Sequence, residues 1–351
     1  MGVFFAILIF SFLIFIHEFG HFIAAKRSGV QVNEFSMFMG PALIKWRRGE
    51  TLYSIRCIPF GGYCAMEGED GDTDSPKSFQ KAAWWKRLII LVAGSFMNFV
   101  TGVIIIAVVL SCAPSYASTQ IESVDSWSCF AEDHSLQDGD VIKEFNGKKI
   151  RIQSDFALHT LLIEDGNYDF VVERNGQEIE LRDVRMERRE DPEKAGDERF
   201  GMTFTSEKTT AKSVVTRVLP TAGNYVDQVF VMFKMMFAGK VSFNDLSGPV
   251  GIVDQMNQTA EQSETPWYAF LNMLSIGGLL AINLAVMNML PIPALDGGRT
   301  VGLLLTTLIE KVTGKKVPDK YEGYIHGVGM ILLLALMAAV FFKDIYTIFM
   351  R

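Results

Sequence analysis

The chain has 351 residues, of which 49% are hydrophobic and 21% charged, with a net charge of −7. That is long enough for two ordinary domains and more apolar than an average soluble domain, where about 25% of residues are charged. Disordered, collagen-like and coiled-coil classes are excluded, and with no basic stripe there is no sign of a nucleic-acid partner. The apolar residues concentrate in 1–25, 88–112, 267–295 and 324–342, whereas 113–266 holds sixteen Lys/Arg against twenty-seven Asp/Glu. The pattern is that of a membrane protein with an inserted soluble part. The four cysteines, Cys57, Cys64, Cys112 and Cys129, form no CxxC pair. A Cys112–Cys129 disulfide is one reading of their placement.

In chain order, Met1 to about Ala25 is apolar enough to span a bilayer. It has no basic leader and carries His17, Glu18 and His21 inside the run, unlike a signal peptide. Residues 31–66 read as short strands with turns at Met39-Gly40-Pro41, Arg48-Gly49-Glu50 and Pro59-Phe60-Gly61-Gly62. Trp84-Trp85-Lys86-Arg87 is an interfacial anchor. A second span follows over Leu88–Leu110, with small residues at Ala93-Gly94-Ser95 for close helix contact and a polar Asn98. Residues 115–205 are a compact soluble unit, with a helix over Ser154–Ile163 and a strand at Tyr168–Arg174 that enters a hairpin turn at Asn175-Gly176. Tyr225–Phe237 has the spacing of an amphipathic helix on or near a membrane, or of a helix packed on its own domain. A third span runs from Pro266 to about Met289 and breaks at Pro291-Ile292-Pro293; a fourth covers Gly323–Phe342. Broken backbone at membrane depth survives only when buried in protein or lining a wet cavity.

His17-Glu18-Phe19-Gly20-His21 is HExxH. The imidazoles lie four residues apart on one helical face, where both can hold one Zn²⁺, with Glu18 beside them to take a proton from water. On a soluble helix the pattern could be accidental, but buried ionisable residues in a membrane segment are costly and functional by default. A catalytic zinc usually has three protein ligands. His134 and His159 fall in the soluble part, His326 begins the last span, and Asp296 follows the Pro-x-Pro break. Asp296 is the better candidate, although it could instead cap a helix starting at Gly297.

The HExxH, together with Asn288-Met289-Leu290-Pro291-Ile292-Pro293-Ala294-Leu295-Asp296-Gly297-Gly298, resembles the site-2 protease family of intramembrane zinc metalloproteases, closest to the bacterial regulators of sigma-E type. Phe38–Pro41, Pro59–Tyr63, Ala93–Phe99 and Leu246–Ile252 fall in the family's order across nearly the whole chain. The resemblance implies His17, His21 and Asp296 as zinc ligands, Glu18 as general base, and Asn288, Gly61 and Gly62 in substrate binding. It implies a polytopic α-helical membrane protein of about four transmembrane helices, with a membrane-associated β-hairpin region and an inserted α+β PDZ-like domain. The divisions are then 1–112 for the N-terminal membrane core, 113–208 for the PDZ-like domain, 209–266 for an amphipathic membrane-associated segment and 267–351 for the C-terminal core. Ser95 stands where the family often has Pro, and only one PDZ-like domain fits.

The expected substrate is a membrane protein with a single transmembrane segment, held in the lipid bilayer; the family suggests an anti-sigma factor or a signal-peptide remnant. Its unwound backbone would add as a strand to residues 52–64. The basic loops 26–87 and 299–322 place the active site toward the cytoplasm and the acidic 113–266 segment outside the bacterial inner membrane. Two rival functions are a non-catalytic adaptor with a structural metal, against which an intact Glu18 argues, and a transporter with a broken helix, against which the lack of an inverted repeat argues.

Overall fold

The computed structural model describes residues 2–349 except 70, 72, 162, 193, 242–247 and 315–319; the Leu246-Ser247 part of the Leu246–Ile252 motif lies outside the described residues. The chain forms two compact units, one of residues 1–105 and 241–351, the other of residues 106–240.

The first unit contains α1 (Gly2–Ser28), most of α2 (Trp84–Cys112), α6 (Pro249–Glu261), α7 (Pro266–Asn288), α8 (Asp296–Thr313) and α9 (Lys320–Phe349). Among the described residues, four segments are long and apolar enough to cross a membrane: Val3–Ser28, Trp84–Cys112, Pro266–Asn288 and Gly323–Tyr346. They coincide with the four expected spans and extend them by a few residues at some ends, because Trp84–Arg87 and Lys343–Tyr346 continue the helices beyond the apolar runs. Thr265 caps α7, accepting from Tyr268 N, and Pro266 opens its first turn, where a missing N–H costs nothing. Gly248, at the N-cap of α6, has no side chain to offer. Asp344 of α9, 4% exposed, replaces it by accepting from Gly251 N at 3.0 Å.

Between α1 and α2 lie β1 (Val32–Arg48) and β2 (Thr51–Met66), an antiparallel pair with several register shifts. Three short turns were expected here. Only Gly49 and Glu50 form one, and the other two sites are irregularities within continuous strands. Glu34–Met37 faces residues 62–65 on one side and residues 52–55 on the other, so the ribbon folds over itself. Arg56 joins its parts by donating to Gly40 O, the Glu34 carboxylate and the Tyr63 hydroxyl. Burial disfavours the Glu34 charge, but hydrogen bonds from Arg56, Ser54 and Tyr63 hold its carboxyl below the usual range. Leu43, Ile44, Trp46 and Ile58 remain exposed. Val32, Phe35, Cys64 and Met66 turn inward with Ala25 and Ile90.

The second unit contains β3 (Ser115–Val124), α3 (Cys129–Asp133), β4 (Val141–Phe145), β5 (Lys148–Lys149), α4 (Gln153–Thr160), β6 (Gly166–Arg174), β7 (Gln177–Met186), β8 (Arg189–Asp191), β9 (Lys194–Arg199), β10 (Met202–Lys208) and α5 (Ala211–Phe237). Six strands make an antiparallel sheet in the order β10-β3-β4-β6-β7, with β5 on β4. Phe130, Phe145, Phe156 and Phe170 fill its core, each contributing about 1.5–3 kcal/mol by burial. Asn175 and Gly176 both take positive φ, the conformation that closes a two-residue hairpin. The expected helix at 154–163 ends at Thr160, leaving Ile163 to pack on the core. Helix α5 begins far upstream of the expected Tyr225, at a Thr210–Ser213 capping box, and accommodates Pro220 internally. It is tied to α4 by Asn224, whose Nδ2 donates to Asp155 Oδ1 at 2.9 Å. All four cysteines are free; Cys129 is buried and its thiol donates to Arg185 O.

Asp140, fully buried, is held by Arg174 through Nε and Nη2, each at 2.7 Å. Arg174→Ala leaves that carboxylate unpaired, at a cost of about 3 kcal/mol. Hydrogen exchange on the full-length protein should show faster exchange through β4 and β6, with α1 and α7 unaltered. Equal protection in wild type and variant would count against this role.

Candidate metal centre

Helix α1 supplies two residues of the centre. His17 and His21 are one turn apart, so their rings leave the same face, and their Nε2 atoms are 3.2 Å apart. Asp296 supplies the third atom. Its Oδ2 lies 3.1 Å from His17 Nε2 and 3.2 Å from His21 Nε2. The three potential ligand atoms fall within 4.8 Å of one another. Helix α8 starts at Asp296 itself, with Leu295 at the N-cap and no side-chain cap bond, so the carboxylate is turned toward the imidazoles instead of capping its own helix.

The donor set fits zinc. Two imidazole nitrogens and a carboxylate oxygen are a common three-ligand set that leaves a position open. Among the described residues, His17 Nδ1 is buried without a hydrogen-bond partner and Asp296 Oδ2 faces only the two ring nitrogens, a convergence of lone pairs that a cation at this point would satisfy.

Several neighbours hold these atoms in place. His21 Nδ1–H donates to Ile90 O of α2 at 2.8 Å, leaving the Nε2 lone pair directed at the other two atoms. Gly94 of α2 allows the rings their position, because a Cβ there would run into His21 and His17. The loop before Asp296 is strained. Ala294 has φ +78°, a conformation costing about 1 kcal/mol or more for a non-glycine residue, and its N–H donates to His326 Nδ1 at 3.0 Å. His326 thus positions the loop and is not one of the three clustered residues. Gly297 and Gly298 have backbone carbonyls of Met289, Leu290 and Ile292 where side chains would be. One turn into α8, Arg299 pairs with Glu69 of the loop after β2.

Glu18 sits on the ribbon side of α1, with its Cγ 3.8 Å from where a Gly62 Cβ would stand. Gly61 adjoins Gly62 with φ +81°. Asn288 is the last residue of α7 and makes no side-chain hydrogen bond among the described residues. His134 and His159 belong to residues 106–240. Sequence reasoning did not single out Gly94 for the His rings, Ile90, Glu69 or Arg299 for this centre. Gly94 and Asn98 share one face of α2, and Ser95 Oγ and Asn98 Oδ1 are buried without partners among the described residues. The polar Asn98 in an apolar span was the available signal for this face.

Gly94→Ala should reduce bound zinc about tenfold or more, read as metal per protein after dialysis against a weak chelator. Gly302→Ala on α8, where nothing lies within 4 Å of the added carbon, should bind zinc as wild type does. Full metal retention in Gly94→Ala would mean that the α1–α2 approach does not position the rings.

The description of peptidase family M50 matches residues 5–336. A protein of Clostridium perfringens named as a zinc metalloprotease is 33% identical over 347 residues, covering 98% of each chain. One of Fusobacterium nucleatum with the same designation is 32% identical, again over 98% of each. The regulator of sigma-W protease RasP of Bacillus subtilis is 27% identical, also over 98% of each. With a match that spans almost the full length, the chain belongs to peptidase family M50, the zinc metalloproteases of the site-2 type.

Proposed function

We propose that His17, His21 and Asp296 hold the zinc of this protease, that Glu18 is its general base, and that it cleaves single-span membrane proteins within the bilayer. The observation that carries this reading is the convergence of three ligand atoms from α1 and α8 beside a helix long and apolar enough to span. When bound there, zinc supplies a Lewis acid for the scissile carbonyl and acidifies a water. Glu18 takes a proton from the attacking water and delivers it to the leaving amine. The Gly94 approach and the Ile90 carbonyl keep the His21 ring from rotating.

A transmembrane helix must unwind before its backbone can be attacked, and the freed peptide groups need new partners. Residues 52–55 are paired on both sides within the ribbon, so the expected docking stretch of 52–64 narrows to the part that passes Glu18, around Gly61 and Gly62. A substrate strand there would bring its backbone near Glu18. Asn288, at the end of α7, is the second group that would bind substrate in this reading.

Positive-inside charge supports a topology with loops 26–87 and 299–322 in the cytoplasm, both termini outside, and the 113–208 domain, PDZ-like in its strand-and-helix content, outside the inner membrane. That domain would screen or bind substrate ectodomains. The RasP name refers to sigma-factor regulation; by analogy an anti-sigma factor is the first substrate to try, and a signal-peptide remnant the second.

A single-span reporter incubated with purified protein tests the assignment. Glu18→Gln should keep zinc and lose about 10²–10⁴-fold in turnover; Asp296→Ala should lose most of its zinc and its activity. Equal cleavage by Glu18→Gln would remove Glu18 from the reaction and favour the adaptor reading. Gly62→Leu should depress cleavage with zinc retained, since a Cβ there already meets Ser36 O at 3.0 Å; unchanged turnover would relocate the substrate strand.

A further inference from the structure

Helices α1 and α2 line an open cleft of about 370 Å³ on the flank of α1 opposite Glu18. At about 100° per residue, Gly20, Ile23 and Arg27 project to the far side of α1 from Glu18. The walls are apolar, formed by Ile23, Ala24, Ile89, Ala93 and Phe96, and the mouth is formed by Arg27, Trp85 and Lys86. Ile89 and Phe96 are more than half exposed, so the cleft opens outward from the helix pair.

The two cations at the mouth are not committed to carboxylates. Neighbouring Lys26 is paired with Glu50 at 2.9 Å, but Arg27 is exposed and has no acidic partner among the described residues. Lys86 Nζ donates to Ser28 O at 3.0 Å and lies 5.7 Å from the Trp85 ring centroid, which leaves it further N–H donors. Trp85 is a residue type that settles at the headgroup level. From Trp85 to Met97 the cleft follows α2 for about 18 Å, close to the ~15 Å depth of one leaflet. Positive charge at one end, an aromatic ring beside it and an apolar channel one leaflet deep match one kind of molecule.

We propose that this cleft binds one anionic phospholipid, with its phosphate between Arg27 and Lys86 and one acyl chain along Ile23, Ala24, Ile89, Ala93 and Phe96. Charged pockets between transmembrane helices recognise anionic headgroups in this way. The site goes beyond the proteolytic reading and does not depend on it. The lipid chain would lie against the Gly20–Ala93 contact, where the two backbones meet too closely for a side chain. The same crossing carries His17, His21 and Gly94, so a bound lipid would fill space beside the helix pair that holds the metal.

Native mass spectrometry of the full-length protein, titrated with phosphatidylglycerol or phosphatidylcholine, tests this. Wild type should retain one phosphatidylglycerol in preference to phosphatidylcholine. The Arg27→Gln, Lys86→Gln double variant should retain it about tenfold less or weaker still, and the charge-preserving Arg27→Lys, Lys86→Arg pair should restore it. Ile89→Trp, which keeps both charges but fills the cleft, should also lose the lipid. Arg47→Gln with Arg48→Gln, which removes equal charge from β1, should not. Zinc per protein is measured in each to verify that the helix pair remains assembled. Equal retention of both lipids, equal loss in the β1 pair, or a protein dimer that forms in place of lipid binding would overturn the proposal.

Discussion

Burying two imidazoles and a carboxylate among Phe, Ile and Leu side chains is the constraint on which the rest of the membrane unit depends. Each of these groups alone is expensive in an apolar surrounding, and the proposed cation would relieve that cost where all three meet. The chain satisfies that geometry from residues almost the full length apart, 17 and 21 on α1 and 296 on α8. Much of the surrounding structure serves to bring these ends together. Gly94 removes a side chain that would displace the rings, and Ile90 orients one of them. The Pro291–Leu295 break lets the chain turn from α7 into α8 with its carboxylate pointing inward. The strain at Ala294 is held by His326 and the start of α8 by Glu69–Arg299.

The second physical problem is the substrate. A helix in lipid satisfies its own backbone, which protects it from hydrolysis. In the proposed reading a ribbon beside the centre would offer backbone groups in exchange, and its exposed Leu43, Ile44, Trp46 and Ile58 suit the same apolar surroundings as the helix it would receive. Its folded register consumes both edges of residues 52–55. The separate unit of residues 106–240 has its own aromatic core and its own buried ion pair, Asp140–Arg174, and therefore its own source of stability.

Family, membrane character and chemistry were legible in the sequence because each has a local signature. Four apolar runs of spanning length need no tertiary partner to be recognised. HExxH nominates two ligands and a base by helical periodicity alone, and Asn175-Gly176 specifies a hairpin by backbone preference. Asp296 could be nominated from its position after a Pro-x-Pro break, but its rival role as a helix cap could not be dismissed from the sequence, since both uses favour Asp at that point.

Only the tertiary structure shows Asp296 turned to the imidazoles with no cap bond, because that depends on α8 starting at Asp296 and on α1 lying opposite it. The same holds for Gly94, whose need for a missing side chain exists only where another helix approaches. It holds for the ribbon, whose strands read as several short ones until the double pairing of Glu34–Met37 made them continuous, and for α5, whose first half was hidden by Pro220. It holds also for the Arg27–Lys86 cleft, since residues nearly sixty positions apart become neighbours only when α1 and α2 pack. Periodicity and residue type act within a few turns of chain and the sequence carries them openly; contacts between distant segments depend on packing.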